Sequence, residues 1–318
     1  MKWGSPMSLP IDSPPLSVIT VTYNPRWDLL NWALDSLEKQ TLPKSDFEVV
    51  IVDNNSNPPL EESRLREGRA LRLRLIREPN QGNTFARCAG IMEARSDVLV
   101  FLDDDNHFDP DYLEQALRIA RAEPELGAFG GMARPVFESP IASWKSKLLP
   151  HLGARDYGPA PITSRETHWG EWEPIGAGMV FRRDVGEEFV EWVRADRAAM
   201  LLGRKARALM SGEDTLIAQA AYRLGYACSY QPALKMSHCM KKNRLQYRVL
   251  AGTIHGHGRS YVILQQLIGN PVPKPRLGQI CKELYCRYRY HVKSNGLKAG
   301  TVKWCWDVGY FRQARKTN

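Results

Sequence analysis

The chain has 318 residues, of which 43% are hydrophobic and 25% are charged, and its formal net charge is +9 at pH 7. This length and composition are typical of a soluble globular protein with one large domain, or with one domain that carries an accessory segment. No apolar run is long enough to cross a bilayer. The six cysteines are scattered without a CxxC pair, which excludes a disulfide scaffold, argues against a zinc finger and fits a reducing cytosol.

The charge is distributed unevenly along the chain. From Lys235 to the C-terminus there are 17 Lys and Arg residues against Glu283 and Asp307, a net charge of +15. The remaining sequence carries 27 basic and 33 acidic residues, a net charge of −6. Two differently charged surfaces are therefore expected.

The N-terminal third alternates short β-branched runs with amphipathic helical stretches. This alternation predicts parallel strands joined by helical crossovers. Residues 1–16 contain no signal-peptide core and are predicted to form a disordered lead. The predicted elements that follow are a strand at 17–23, a helix with Trp27, Leu30, Leu34 and Leu37 on one face, strands at 47–53 and 71–78, a helix at 82–94 and an apolar strand at 97–105.

After the N-terminal third, the sequence predicts a helix that starts at Pro110 and runs to residue 122. The chain is then predicted to return to the sheet at 127–137 and to form a loop-rich segment over the site at 139–172. A tight turn enters a strand at 176–183 and is followed by a helical region to residue 210 and a capped helix at 211–226. The predicted C-terminal part consists of a basic helix at 245–268, a proline linker and a basic, aromatic tail.

Polar residues stand at the carboxyl ends of three predicted parallel strands, namely Asn24, Asp53 and Asp103 to Asp105. Open parallel sheets bind ligands in the crevice at these ends. Several carboxylates at one edge repel each other and favour a bound cation. Because Mg²⁺-type ions take one or two carboxylates and complete their shell with phosphate oxygens, we expect Mg²⁺ or Mn²⁺ and a nucleotide diphosphate here.

The aspartates also have simpler interpretations. A strand that ends before a helix commonly carries aspartate as a capping residue. A calcium loop matches the spacing of Asp103, Asp105, Asp109, Asp111 and Glu114. However, Phe108 stands at the glycine that such a loop requires, and a strand precedes it, so we set the calcium loop aside.

Glu213 and Asp214 lie at the start of the predicted helix 211–226. Acidic residues are common there because they complement the helix dipole. A carboxylate at this position can also accept a proton from an acceptor hydroxyl, provided that it lies within hydrogen-bond reach. His238 follows a predicted strand and, taken alone, is more often a packed residue than a metal ligand.

Six short motifs stand in a fixed order: TYN (22–24), VDNNS (52–56), NQGNTFARCAGI (80–91), FLDDDN (101–106), GAGMVFRR (176–183) and GEDTLIAQAAYRLGY (212–226). Together they resemble family 2 glycosyltransferases, an inverting group with the α/β nucleotide-sugar-binding fold called GT-A. The resemblance implies a mostly parallel central sheet flanked by helices. It also implies a catalytic domain at 17–238, with a nucleotide-binding half at 17–135 and an acceptor half at 136–238, before a basic helical extension at 239–318.

The resemblance further implies roles for individual residues. The nucleotide-binding residues would be Thr22, Tyr23, Asn24, Asp53, Asn80, Gly82, Arg87, Asp103 and Asp104, with Asp53 and the Tyr23–Asn24 turn on the base. Asp105 and His238 would hold the metal, and Asp214 would be the general base with Glu213 beside it. Gly176, Ala177 and Gly178 would lie between the donor sugar and the acceptor.

The implied reaction is the inverting transfer of a sugar from a nucleotide diphosphate sugar to an acceptor hydroxyl, in polysaccharide or glycoconjugate synthesis. A metal would neutralise the departing diphosphate while a carboxylate deprotonates the attacking hydroxyl. The basic, aromatic C-terminal segment predicts a cytoplasmic protein that is peripheral on the anionic inner face of a membrane, near a glycan or lipid-linked acceptor. No nucleic-acid motif accompanies the charge, so no nucleic-acid partner is predicted.

Three alternative functions share some of these features. A nucleotidyltransferase would have the same sheet and aspartates, but it would need a glycine-rich loop with a basic residue after the first strand, which TYNPRW lacks. A glycoside hydrolase would need two carboxylates facing one sugar, without a base pocket or metal. A catalytically inactive membrane scaffold is the third alternative, and the presence of Asp105 and Asp214 argues against it.

Overall fold

The computed structural model describes residues 13–203, 210–270 and 272–316. The strands are β1 (Leu16–Thr22), β2 (Phe47–Asp53), β3 (Leu73–Arg77), β4 (Val98–Phe101), β5 (Asn106–Phe108), β6 (Leu126–Phe137), β7 (Ile162–Ser164), β8 (Val180–Arg182) and β9 (Ala227–Met240). The α-helices are α1 (Trp27–Glu38), α2 (Glu62–Arg66), α3 (Asn83–Glu93), α4 (Tyr112–Ala122), α5 (Arg183–Ala195), α6 (Glu213–Arg223), α7 (Tyr247–Leu267), α8 (Leu277–Asn295) and α9 (Leu297–Ala314). Two 3₁₀ helices span Ser143–Leu152 and Ala199–Leu201.

The strands form one mixed sheet in the order β3-β2-β1-β4-β8-β6-β9-β5, with β7 paired to β9. β1 is parallel to β2 and β4, and β2 is parallel to β3. β8 pairs antiparallel with β4 and β6, and β9 pairs antiparallel with β5 and β7. The predicted α/β fold with a central sheet and flanking helices is confirmed, and its parallel part consists of the four strands from the N-terminal third.

The inner parallel strands β2 and β4 form because their sequences are largely apolar runs. Every residue of β2 and of β4 is buried, as expected of strands covered on both faces by crossover helices. α3 packs closely on β1 and β2, since a Cβ atom at Gly90 would lie 2.4 Å from Ile19 Cγ2. This close packing places Arg87, one turn earlier on α3, near the carboxyl ends of the strands.

Most predicted helices are confirmed to within a few residues. The helix predicted at 82–94 is α3, and the basic helix predicted at 245–268 is α7. The helix predicted at 211–226 is α6, and Gly225 closes it with a left-handed φ of +84°. Beside this glycine, the Tyr226 N–H donates to the Ala221 carbonyl at 3.0 Å, which satisfies a carbonyl at the helix end.

Three predictions about elements were wrong in detail. The helical region expected to reach residue 210 stops at Ala195, because exposed residues 195–197 give the helix nothing to bury, and 204–209 lie outside the described residues. The strand expected to include the three aspartates ends at Phe101, and the aspartates lie in the loop and turn that follow it. His238 lies within β9, opposite Asn106, and not after a strand.

Contacts divide the chain into two units. The first consists of the described parts of Met1–Arg134, Arg155–Asp196 and Asp214–His238, and the second of the described parts of Pro135–Ala154, Arg197–Glu213 and Cys239–Asn318. The domain boundaries predicted at residues 16, 135 and 238 stay predictions, and residues 1–12 of the expected disordered lead lie outside the described residues.

The second unit is organised around the crossing of α7 and α9. Its buried apolar core consists of Leu148, Leu152, Met240, Leu245, Leu250, Ile254 and Val302. α8 is joined to α9 at the buried Asp307, which accepts a hydrogen bond from Arg287 Nη1 at 2.8 Å and lies 2.9 Å from His291 Nε2. In the described part of the chain, no helix is both long and apolar enough to span a membrane.

Candidate functional site

The carboxyl ends of β1, β2 and β4 bring several predicted nucleotide-binding residues together. Thr22 and Asp53 are register partners at the ends of β1 and β2. The Thr22 hydroxyl donates to Asp104 Oδ2 at 2.5 Å, and its carbonyl accepts the Asn54 N–H at 2.9 Å. The end of β1 is thereby tied both to the aspartate turn that follows β4 and to the loop that follows β2.

Asp53 is almost completely buried, and its carboxylate is engaged by its own loop. Its Oδ1 accepts the Ser56 N–H at 2.8 Å, and its Oδ2 accepts the Leu60 N–H at 3.1 Å. Asp53 therefore orders the loop that follows β2. Its role in base recognition stays a prediction.

The Tyr23–Asn24 turn borders a cavity of about 330 Å³. Tyr23 is half exposed, and Asn24 has a positive φ of +45°. The Asn24 side chain accepts the Asn57 N–H at 2.8 Å. The cavity is lined by Asn24, Pro25, Trp27, Asn57, Pro58, Pro59, Leu60, Glu61 and Arg64. The Arg64 guanidinium lies 3.6 Å from the centre of the Trp27 ring, so one wall is cationic and aromatic.

Asn80 and Gly82 are held in the site by Asn54, a residue without an assigned role in the sequence analysis. Asn54 Nδ2 donates to the Asn80 carbonyl at 2.8 Å, and Asn54 Oδ1 accepts the Gly82 N–H at 2.8 Å. Gly82 has a φ of +141°, which favours glycine at the start of α3. Asn54 therefore joins the β3–α3 loop to the end of β2.

Arg87 carries a buried positive charge beneath the aspartate turn. Its side chain is 3% exposed, and its Nη2 lies 3.3 Å from Asp103 Oδ1. Its guanidinium also lies over the Phe101 ring, 4.5 Å from the ring centre. The predicted nucleotide-binding residues Arg87 and Asp103 are thus in direct contact.

Asp105 and His238, the predicted metal ligands, face each other across the β5–β9 pair. Asp105 Oδ1 lies 3.7 Å from His238 Nε2, and both side chains are almost fully buried. This distance is too long for a hydrogen bond. Asn106, the register partner of His238, donates from Nδ2 to Asp105 Oδ1 at 3.4 Å.

This pair fits a divalent cation in donor type and in spacing. A carboxylate oxygen and an imidazole nitrogen can share one ion when each bond is about 2.1 Å long. Among the described residues, no group of three His, Cys, Asp or Glu side chains could hold a metal. The protein therefore offers at most two such ligands here, and the phosphate oxygens of a bound nucleotide would have to complete the shell.

Gly176 joins the two ends of the candidate site. Its N–H donates to Asp214 Oδ2 at 3.1 Å. A Cβ atom at the same residue would lie 2.4 Å from both terminal nitrogens of Arg87. A line of contacts therefore runs from Asp103 through Arg87 and Gly176 to Asp214.

The two residues after Gly176, Ala177 and Gly178, are held in place by the sheet and by α4. The Gly178 N–H donates to the Phe101 carbonyl at 3.1 Å, and the Gly178 carbonyl accepts a hydrogen bond from the Tyr112 hydroxyl. Ala177 is partly buried and packs against the core of the first unit. Glu213 is buried at the start of α6, and a catalytic role for it stays a prediction.

Glu173 is a buried carboxyl group for which the sequence predicted neither burial nor a role in the site. Its side chain has no exposed surface, and burial raises its pKa to about 8. The Thr215 hydroxyl and the Arg155 guanidinium lower this pKa in part, while the negative charge of Asp214 raises it further. No local pattern distinguishes Glu173 from the exposed Glu171, because the burial depends on segments that are distant in the sequence.

A sequence model of the family described as glycosyl transferase family 2 matches residues 17–190. The chain is 35% identical over 112 residues to an uncharacterized glycosyltransferase of Haemophilus influenzae. The aligned segment covers 35% of this chain and 36% of that protein. It is 36% identical over 105 residues to the succinoglycan biosynthesis protein ExoW of Rhizobium meliloti, which covers 32% of each chain. The matched segment thus spans about a third of the length of these curated relatives.

Among solved structures, the chain is similar to a crystal structure of S. aureus TarS 1-349. The two chains are 16% identical in sequence, and the TM-score is 0.47. The similarity covers 95% of this chain and 90% of that one.

Proposed function

Because the chain belongs to glycosyl transferase family 2, we propose that it transfers a sugar from a nucleotide diphosphate sugar to an acceptor hydroxyl, with inversion at the anomeric carbon. The observation that carries this proposal is the line of contacts from Asp103 through Arg87 and Gly176 to Asp214. It joins the predicted donor-binding turn to the predicted base within the first unit.

Asp214 would act as the general base. Its carboxylate oxygens are oriented by two main-chain donors, the Gly176 N–H at 3.1 Å and the Thr215 N–H at 2.9 Å. In the transfer, the acceptor oxygen bonds to the anomeric carbon and its proton passes to Asp214. The bond between that carbon and the diphosphate oxygen breaks, and the nucleoside diphosphate leaves with the electron pair.

The predicted donor-side residues would orient the nucleotide and its leaving diphosphate. Asp105 and His238 would hold a divalent cation, Mg²⁺ or Mn²⁺, which would neutralise the charge on the leaving diphosphate. Asp103 and Asp104 are held by Arg87 and Thr22, which fixes the turn before Asp105. The cavity beside Asn24, with its cationic and aromatic wall, lies next to the turn predicted to recognise the base.

The direct test is the release of UDP, GDP or dTDP from a panel of nucleotide sugars, with and without Mn²⁺. A thermal-shift screen would first identify the donor, because bound donor stabilises the folded chain. We expect Asp105→Ala and Asp214→Ala each to abolish release. The control is Asp111→Asn, which alters an exposed aspartate at the start of α4 and keeps a good capping residue. Wild-type turnover in Asp105→Ala or Asp214→Ala would refute the role assigned to that residue.

We further propose that the protein acts on a glycan or lipid-linked acceptor in polysaccharide synthesis, from the cytoplasmic side of an anionic membrane. One relative, ExoW, is named a succinoglycan biosynthesis protein. α8 buries only Ile280 and exposes Leu277, Tyr285 and Tyr290 at 61% to 66%. Basic residues lie between these apolar side chains, as in helices that lie on membrane surfaces. Each Lys or Arg near an anionic membrane surface adds roughly 1 kcal/mol to the binding free energy. A protein that stays wholly soluble beside anionic liposomes at low salt would contradict this part.

A further inference from the structure

The loop that carries Glu173 is clamped by Arg155. The Arg155 guanidinium donates to the main-chain carbonyls of Glu173 and Glu171. The main chain of Arg155 is itself paired with Ala133 in both directions, at 2.9 and 3.1 Å. The Glu173 N–H donates to the Gly170 carbonyl at 3.1 Å. These bonds fix the main chain of Glu173 and direct its side chain into the interior of the first unit.

The Glu173 carboxyl group is fully enclosed by the protein. Neither of its oxygens makes a hydrogen bond of normal geometry, although the Thr215 hydroxyl is near enough to lower its pKa in part. The ionisable groups that face it are Asp214, Arg155, Tyr222 and Cys228. Burial raises the pKa values of Tyr222 and Cys228, so both are neutral at physiological pH, and Asp214 and Arg155 carry the charge around Glu173.

Asp214 is oriented by the loop that carries Glu173. Gly176, which donates its N–H to Asp214 Oδ2, lies three residues after Glu173. Thr215, which donates its N–H to Asp214 Oδ1, also places its hydroxyl near the Glu173 carboxyl. A change of charge on Glu173 therefore acts on Asp214 both directly and through its two main-chain donors.

We propose that Glu173, as a neutral carboxylic acid, is a positioning residue for Asp214, and that ionisation of Glu173 at alkaline pH stops sugar transfer. This inference rests on the proposed function, since it takes Asp214 as the base. A neutral Glu173 leaves Gly176 and Thr215 to orient Asp214. An ionised Glu173 puts a second negative charge beside Asp214, at a place where neither Glu173 oxygen has a hydrogen-bond donor at normal geometry, and the loop opens to hydrate that charge.

The protonated state can be tested without any ligand, by comparing wild type with Glu173→Gln. Glutamine keeps the shape of the neutral acid and does not titrate. Between pH 4.5, the ordinary pKa of the group, and about 8, the unfolded chain has lost the proton that the folded chain keeps. Wild-type stability contributed by this group therefore falls as pH rises through that window and levels off above it, and Glu173→Gln lacks this fall.

We expect the melting temperature of Glu173→Gln to rise relative to wild type between pH 5 and pH 8. The matched control is Glu171→Gln, which removes an exposed carboxylate two residues away and should follow wild type at every pH. If wild type and Glu173→Gln show the same dependence of stability on pH, then Glu173 is not protonated in the folded chain, and the proposal is overturned.

The positioning role is tested by the rate of nucleoside diphosphate release from the donor found in the thermal-shift screen, with water as the acceptor. Above about pH 8, kcat of wild type should fall by up to about tenfold per pH unit, whereas KM for the donor should change little. Glu173→Gln should keep its kcat through pH 9, and Glu173→Ala should lose kcat at every pH because the turn collapses into the space left.

Two results in this assay would count against the inference in different ways. An equal alkaline fall of kcat in wild type and Glu173→Gln overturns the positioning role alone. A wild type that releases no nucleoside diphosphate from any donor overturns the proposed function and the positioning role with it. The stability measurements then still report whether Glu173 is protonated, so the two failures are distinguishable.

Discussion

Gly176 is the residue at which the predicted donor-binding part and the predicted base of the candidate site meet. Its N–H faces Asp214, and its Cα faces the guanidinium of Arg87. Any side chain there would overlap the terminal nitrogens of Arg87, which are held between Asp103 and the Phe101 ring. Because Gly176 has no Cβ atom, the buried guanidinium of Arg87 and the carboxylate of Asp214 can both lie against it.

At this residue we predict that Gly176→Ala lowers sugar transfer by at least about tenfold, because the added methyl group displaces Arg87 from Asp103 or the turn from Asp214. The free energy of unfolding should fall by only about 1–3 kcal/mol, as for other overpacked sites. Nucleoside diphosphate release and urea unfolding measure the two effects. Full transfer by Gly176→Ala would show that the contact between Gly176 and Arg87 is not needed.

The helices α7 and α9 cross with their main chains in close contact. A Cβ atom at Gly258 of α7 would lie 2.0 Å from the Trp306 carbonyl oxygen. A Cβ atom at Gly309 of α9 would lie 2.0 Å from the His255 carbonyl oxygen. Because each helix places a glycine against the main chain of the other, the close approach of the two helices depends on these two positions.

We predict that Gly258→Ala separates α7 from α9 and lowers the free energy of unfolding by roughly 1–3 kcal/mol. Chemical denaturation measures this loss. The matched control is Gly278→Ala on α8, where a Cβ atom would meet nothing within 4 Å and where alanine favours the helix. Equal stability of the two variants would mean that α7 and α9 leave room for a side chain at Gly258.

The net charge of the C-terminal part of the chain is opposite in sign to that of the remainder. The residues from Lys235 onward carry a net charge of +15, and the remainder carries −6. Within the C-terminal part, exposed Lys282 and Arg289 lie on α8 beside exposed Tyr285 and Tyr290. An anionic surface should therefore attract this part of the chain and be indifferent to, or repel, the acidic remainder.

We predict that the double variant Lys282→Glu and Arg289→Glu loses most of its binding to anionic liposomes, measured by flotation at low salt. The control is the double variant Arg118→Glu and Arg121→Glu on α4, which alters two exposed arginines of the first unit and changes the net charge equally. It should bind as wild type does. If both variants weaken binding equally, total charge and not α8 determines the attraction. Binding by wild type should also weaken as salt is raised.

The sequence was enough to predict the parallel part of the sheet, because apolar runs such as 47–53 and 98–101 can satisfy their burial only as covered strands. It also determined α3, α6 and α7, whose apolar periodicity and end residues are local signals. The ordered motifs were sufficient to predict the family, and the match over residues 17–190 confirms it. The chemical roles of Asp53, Asp105, Asp214 and His238 stay predictions.

Which side chains meet, and which are shielded from water, depends on the folded chain as a whole. Glu173 and Glu171 are indistinguishable in sequence, yet the first is fully buried, and Asp214 and Arg155, which face it, come from distant segments. The contact of Gly176 with Arg87 likewise joins segments almost 90 residues apart. Local pattern fixes strands and helices because backbone periodicity is local, whereas burial and pKa depend on neighbours that only folding brings together.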